Sequence, residues 1–271
     1  VGKLHTLIIG EKINASRREV RQALESRDTH YLQDLAKRQA DSGADFIDVN
    51  VGTGKSKEEA AHMEWLVGIV QEVVDRALAI DTADAEVLEA GLAKHRGLAM
   101  VNSITGEQRR LDSFLSLIEK YQASCIALAI DQEGIPETAE QRLAVCQMIL
   151  RQAQERGIDK ERIYFDPLVL PLSVDPGQGL IALETLRLIK SSMVGAKTVS
   201  GLSNVSYGLP KRGLINRVFL SMCLAAGLDS VILDPLDQRL LSVLKAAEAL
   251  LGRDRYCQRY LRAYREGKLS D

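Results

Sequence analysis

The stretch KTVSGLSNVSYGLPKR, residues 197–212, places an Asn among Ser and Gly directly after a short apolar segment and closes on a Pro and two cations. A carboxamide there can donate and accept hydrogen bonds without carrying a formal charge. Comparable polar side chains end the other apolar runs. They are Glu11 after LIIG, Asp48 and Asn50 in FIDVNV, Asp81 in ALAIDT, Asn102 in LAMVNS, Asp131 in CIALAID, Asp166 in IYFDPLVL and Asp234 in SVILDPLD, with Ser203 and Asn204 in the run quoted above. Acids and amides dominate these ends, and none is expected to carry His or Lys. Such an acceptor-rich set suits either a divalent cation held by oxygens or a donor-rich heterocycle. A cation site would favour a compact carboxylate cluster. Single acids interleaved with amides instead match an amidine-like or guanidine-like edge, since an ionised Asp accepts two hydrogens while Asn both donates and accepts. The expectation is therefore a neutral heterocycle and no metal. Structural duties compete at several positions: Asp131 and Asp234 as turn caps, Asp166 before Pro167 as a strand end, Asp48 on backbone amides, and Asp81 as a helix N-cap.

These residues act together only if the chain brings the run ends to one place. Eight β-branched, apolar runs recur along the sequence, separated by segments with apolar residues at three-and-four spacing, such as Leu111–Phe114–Leu115–Ile118. Eight strand-then-helix units predict an α/β fold, a (β/α)8 TIM barrel, whose strands end on one face where the loops converge. The rival, an open doubly wound sheet, lacks a G-x-G-x-x-G turn after the first strand. Thr105, Ser56 and Thr138 read as hydroxyl caps of the helices that follow them. The whole chain, residues 1–271, reads as one domain. Residues 253–271 are expected to form a basic C-terminal helix with Tyr256, Tyr260 and Tyr264 four apart on one face.

Composition narrows the function classes. Basic residues number 35 against 37 acidic, for a net charge of -2, so no general positive field exists to hold nucleic acid. Apolar runs fall short of a bilayer span, and the expectation is a cytoplasmic protein with no membrane association. Four cysteines and four histidines are scattered, which suits buried thiols better than disulfides or a zinc site.

The motifs GEKIN, DFIDVNVG, AIDT, MVNS, YFDPLVLP and KTVSGLSNVSYGLPKR, followed by LINRVFLSMCLAAGLDSVILDP, resemble the methyltetrahydrofolate:corrinoid methyltransferases. This is a family of the pterin-binding barrel superfamily that also holds dihydropteroate synthase and the folate module of cobalamin-dependent methionine synthase. The resemblance runs in order from Leu7 to about Leu250. It implies methyl transfer between N5 of tetrahydrofolate, or of 5-methyltetrahydrofolate, and the cobalt of a corrinoid. No D-x-H-x-x-G signature occurs, so the corrinoid is expected on a separate corrinoid-binding protein. Asp81, Asn102 and Asp166 match residues that bind the pterin's amino and ring nitrogens, and Asn204 matches the residue that reaches N5. Asn204 and Asp166 are accordingly the expected catalytic pair. Glu11 and Asn14 line the same cup, while Asp48, Asn50, Gly201 and Ser203 complete the expected folate-binding set. Arg212 corresponds to an arginine near the folate tail, and Tyr207 stands where relatives carry Gln or Phe. A homodimer is also implied. The direction of transfer stays open, and the rivals are a synthase-like pterin condensation and a non-catalytic pterin-binding scaffold.

Overall fold

The computed structural model describes residues 5–52 and 56–270, apart from the side chains of residues 56 and 57. All eight apolar runs are strands: β1 (Leu7–Asn14), β2 (Phe46–Asn50), β3 (Ala77–Asp81), β4 (Met100–Ile104), β5 (Ser124–Leu128), β6 (Ile163–Asp166), β7 (Lys197–Gly201) and β8 (Ser230–Leu233). They pair in parallel in chain order and close through β8 on β1. The helices are α1 (Arg18–Glu25), α2 (Thr29–Asp41), α3 (Ser56–Gln71), α4 (Ala85–Lys94), α5 (Gln108–Tyr121), α6 (Ala139–Glu155), α7 (Gln178–Ser192), α8 (Arg212–Ala225), α9 (Gln238–Leu250) and α10 (Gln258–Arg265). The expected TIM barrel is present.

Strand alternation decides what each residue does. Ile9, Ala79, Met100, Ile126, Tyr164 and Val199 pack on one another, with Phe46 and Ile232 against them, and fill the barrel. Their strand neighbours Ile8, Ile47, Leu78, Val101, Cys125, Phe165 and Val231 join the core shared with the helices. Two residues along a strand returns to the same face, one layer nearer the mouth. Asp48 therefore stands above Phe46, Asp81 above Ala79, Asn102 above Met100, Asp166 above Tyr164 and Asp234 above Ile232. On β5 that position is Leu128, so this strand presents no polar group. Asp131 lies farther on, in a turn bridged to Gly134, where its carboxylate accepts from the Glu133 amide. Its structural reading holds, and it leaves the ring.

Thr138 forms the expected cap, in a full capping box with Gln141. Thr105 does not: α5 starts at Gln108, after the extended Glu107, and the Thr105 hydroxyl is buried without a partner. The expected Ser56 cap lies outside the described side chains. Asp84, not Asp81, caps α4 by accepting from the amides of Glu86 and Val87. The tail is also shorter than a helix over 253–271. A 3-10 turn at Arg255–Cys257 places Tyr256 and Cys257 at positive φ, so Tyr256 is off the face of α10. Arg253 donates to the carbonyls of Leu224 and Leu228, and Glu248 accepts from the Thr6 amide, which ties the tail to the N-terminal end of the barrel. Cys125, Cys146 and Cys223 are buried free thiols, and Cys257 is an exposed one. Among the described residues no helix is long and apolar enough to cross a membrane.

Candidate active site at the C-terminal mouth

Two acid–amide pairs cross the strands on one side of the mouth. Asn102 Nδ2 donates to Asp48 Oδ1 at 2.9 Å, and Asn50 Nδ2 donates to Asp81 Oδ2 at 3.0 Å. Asn50 spends its oxygen on the Gly52 amide. Burial, and then the charge of Asp81, push the Asp48 carboxyl well above the usual range, against the pull of Asn102. Burial likewise raises Asp81 to about 6, opposed by Asn50 and by the Arg110 guanidinium. Two acids this close to each other in a low-dielectric wall resist ionising together. The Asp48 alternative of binding backbone amides is not what the structure shows.

Asp166 ties two strand ends together. Its carboxylate accepts from the Leu168 amide at 2.8 Å and from the Gly201 amide at 3.2 Å, and burial raises its pKa to about 6. Behind it, the fully buried Arg142 of α6 donates to the carbonyls of Pro136, Pro167 and Leu168 and to Gln178. Leu168 has φ 57°, a conformation costly for a side chain with a Cβ, and these bonds hold it there.

After β7 the chain makes a 3-10 turn, Leu202–Ser206, that buries Leu202 and Val205 and leaves Asn204 exposed. The Asn204 carboxamide has no hydrogen-bond partner among the described residues. Arg212, opening α8, secures this turn: Nη2 donates to the Ser203 carbonyl at 2.7 Å and Nε to the Ser206 hydroxyl at 3.0 Å. Its guanidinium also stands 5.8 Å from the centre of the exposed Tyr207 ring. A Cβ added to Gly201 would meet no atom within 4 Å, so the floor beside Asp166 is open.

Across the mouth, β1 carries a bulge. Gly10 pairs with Ile47 and Ile13 with Val49, so Glu11 and Lys12 together oppose Asp48. The Lys12 amide, displaced from the ladder, donates instead to the buried Gln39. Consecutive residues consequently face the mouth, and Lys12 Nζ meets Asp234 Oδ2 at 2.6 Å. The expectation that no strand end carries Lys fails here, because alternation alone would send Lys12 outward. A cavity of about 580 Å³ opens between these walls, within the span of small-molecule sites. Glu11, Asn14, Ser203, Asn204 and Arg212 line it, with Arg17, Asn216, Asp234 and Asp237.

Glu11, Asn14, Ser203, Asn204 and Arg212 thus line one cavity, while Asp48, Asn50, Asp81 and Asn102 form a hydrogen-bonded cluster outside that lining, with Asp48 near enough to feel the charge of Glu11. Asp166 joins the end of β6 to Gly201 at the end of β7, next to the turn that bears Asn204. Tyr207 stands on the rim, stacked on Arg212 and not in the cavity lining. Lys12, Arg17, Arg110, Arg142 and Asn216 were not singled out in the sequence. Only Arg142 left a signal there, a cation on the apolar stripe of Ala139, Val145, Cys146 and Ile149. The buried carboxylates beside an open glycine floor offer acceptors to a donor-rich ligand. Among the described residues no group of three His, Cys, Asp or Glu side chains is placed to hold a metal ion.

Comparison with known proteins gives the same fold and a family. The chain is 35% identical over 265 residues to the methylcorrinoid:tetrahydrofolate methyltransferase of Eubacterium limosum, covering 97% of each protein. It is 30% identical over 243 residues to the methionine synthase of Mycobacterium leprae, matching 85% of this chain and 20% of that larger protein. Among solved structures, Yersinia pestis DHPS with a pterine-sulfa conjugate superposes with TM-score 0.70 at 15% identity, covering 93% of this chain and 96% of that one. Dihydropteroate synthase from Xanthomonas albilineans with 7,8-dihydropteroate gives TM-score 0.67 at 16% identity, covering 91% and 93%; both likenesses concern the fold. The family model described as pterin binding enzyme matches residues 10–234, and the chain belongs to that family, on the side that includes the methylcorrinoid:tetrahydrofolate methyltransferase.

Proposed function

We propose that this chain moves a methyl group between N5 of tetrahydrofolate and the cobalt of a corrinoid held by a separate protein, in the direction of tetrahydrofolate methylation. The observation that carries the reading is the exposed, unpartnered Asn204 carboxamide, on a turn that Arg212 holds, lining one cavity with Glu11 and Asn14 of β1. The relative named for this reaction shares nearly the whole chain, and its name motivates the direction. Asp81, Asn102 and Asp166 hold the pterin's amino and ring nitrogens, with Asp48 and Asn50 bracing them. This grip sets the N5–carbon axis, since displacement at carbon requires nucleophile, methyl and leaving group in line. Asn204 hydrogen-bonds N5. An uncharged amide can follow that nitrogen through its charge states without placing a fixed charge beside the methyl group. The reading includes a second copy of this chain, supported by an apolar face on α7 and α8 where Leu180, Leu214, Val218 and Met222 are exposed.

Anaerobic mixing of the protein with methylcob(III)alamin and tetrahydrofolate, followed through the cobalt spectrum, tests the activity, and the reverse mixture reports the other direction. Transfer in neither mixture would remove the reading. Asn204→Ala is expected to lose about 3–4 kcal/mol of transition-state stabilisation, the scale of removing one oxyanion donor. An unaltered stopped-flow rate would take Asn204 out of this role.

A further inference from the structure

Methylation of tetrahydrofolate requires a group that removes a proton, and the carboxylates at the mouth are not equivalent. Asp48 accepts from Asn102, Asp81 from Asn50, and Asp166 from the amides of Leu168 and Gly201. Asp234 accepts from Lys12 and the Leu236 amide, and Asp237 caps α9 through the Leu240 amide. Glu11 alone among these described carboxylates has no hydrogen-bond or ion-pair partner. It stands two residues beyond the barrel-filling Ile9, on the inward face of β1, and lines the cavity that Asn204 also lines.

We propose that Glu11 is the base that takes the proton from N5 as that nitrogen acquires the methyl group, an inference that rests on the methyl-transfer reading above. The N5 lone pair forms the N–CH3 bond while the carbon–cobalt bond breaks. That bond's electron pair stays on cobalt, which leaves as Co(I). N5 then carries both hydrogen and methyl with a positive charge. Its proton passes to the Glu11 carboxylate, directly or through one water, and the N–H electron pair remains on nitrogen. In reverse, protonated Glu11 supplies that proton to N5 as Co(I) takes the methyl group. Asn204 orients N5, and Glu11 holds the proton, which an amide cannot do at neutral pH.

The surroundings strengthen the hold of Glu11 on a proton. Burial first, and then Asp234, raise the Glu11 pKa, while Arg17, Lys12 and Arg212 oppose the rise. Asp48 faces it from β2. A base needs its ionised form, so the forward rate should fall as pH drops through this raised pKa. The reverse rate, which needs the acid, should fall as pH rises through it.

The test uses the full chain with free methylcob(III)alamin and tetrahydrofolate, and with cob(I)alamin and methyltetrahydrofolate, across pH. Glu11→Gln is expected to slow transfer about 100-fold, to flatten the limb assigned to Glu11 in each direction, and to keep tetrahydrofolate affinity by calorimetry within about threefold. Glu11→Asp, which shortens but keeps the acid, should recover part of the rate together with a displaced limb. A Glu11→Gln enzyme with the parent rate and pH profile overturns the assignment. So does a loss of rate matched by an equal loss of folate affinity, which makes Glu11 a binding group only. If the parent protein transfers no methyl group in either direction, the functional reading itself falls. If the parent is active and only the variant behaves unexpectedly, the Glu11 assignment alone falls.

Discussion

Asp81 is held above its ordinary pKa, at about 6, chiefly by burial, and this has a consequence for stability. The folded protein holds the Asp81 proton more tightly than the unfolded chain does. Its contribution to stability is therefore present at low pH and is lost as pH rises from about 4 through 6. Asp81→Asn keeps an acceptor for Asn50 without a buried charge. The variant is expected to gain about 2 kcal/mol near pH 7.5, a few degrees in melting temperature, with the gain vanishing toward pH 4. Thermal melts over that range check it, and an equal gain at every pH would contradict it. The same substitution should weaken folate binding, the usual exchange of stability against function at a site. Asp48, Asp81, Asn102, Asp166 and Asn204 were legible in the sequence because polar residues ending apolar runs stand out. Lys12 was not, since its inward aim depends on a bulge whose cause is the pairing of Gly10 and Ile13 with β2.

At the scale of elements, the turn after β7 carries Asn204, and Arg212 holds it from the first residue of α8. The expectation of an Arg212 contact with the folate tail therefore acquires a second duty, since two of its donors are committed to the loop bearing Asn204. Arg212→Met preserves the aliphatic stem and removes those donors. Transfer at saturating folate should fall about 10- to 100-fold, the cost of a small misplacement of a reacting group, with a smaller change in folate affinity. Steady-state kinetics beside calorimetry separate the two, and a rate unchanged from the parent would show that the turn stands without Arg212. Element boundaries explain the remaining mismatches. Thr105 is a good capping residue by type, yet the chain runs extended to Glu107 before α5 begins. Tyr256 obeys helical spacing, yet the kink at Tyr256 and Cys257 interrupts the tail. Both outcomes depend on how loops leave the barrel, which propensity does not describe.

For the whole molecule, the outer face of α7 and α8 is the feature a lone barrel does not explain. Leu180 is 70% exposed, Leu214 56% and Val218 55%, and together with Met222 they line one apolar depression. If the proposed second copy docks on this face, Val218→Asp is expected to lower the sedimenting mass from dimer to monomer, because a charge at the centre of an apolar contact loses its hydration without gaining a partner. An unchanged sedimenting mass would remove this face from the interface.

The amino-acid sequence by itself determined the eight strand–helix units and the gathering of polar side chains toward the C-terminal ends of the strands. Period-two and period-3.6 patterns belong to short segments and survive without knowledge of their neighbours. Only the tertiary structure decided the partners. Asn102 meets Asp48 across 54 positions of sequence and Asn50 meets Asp81 across 31. Barrel closure also sets Lys12 against Asp234, 222 positions away. Which acids are neutralised and which one is left facing the cavity follows from register, bulge and ring closure, and those arise when all eight strands pair at once.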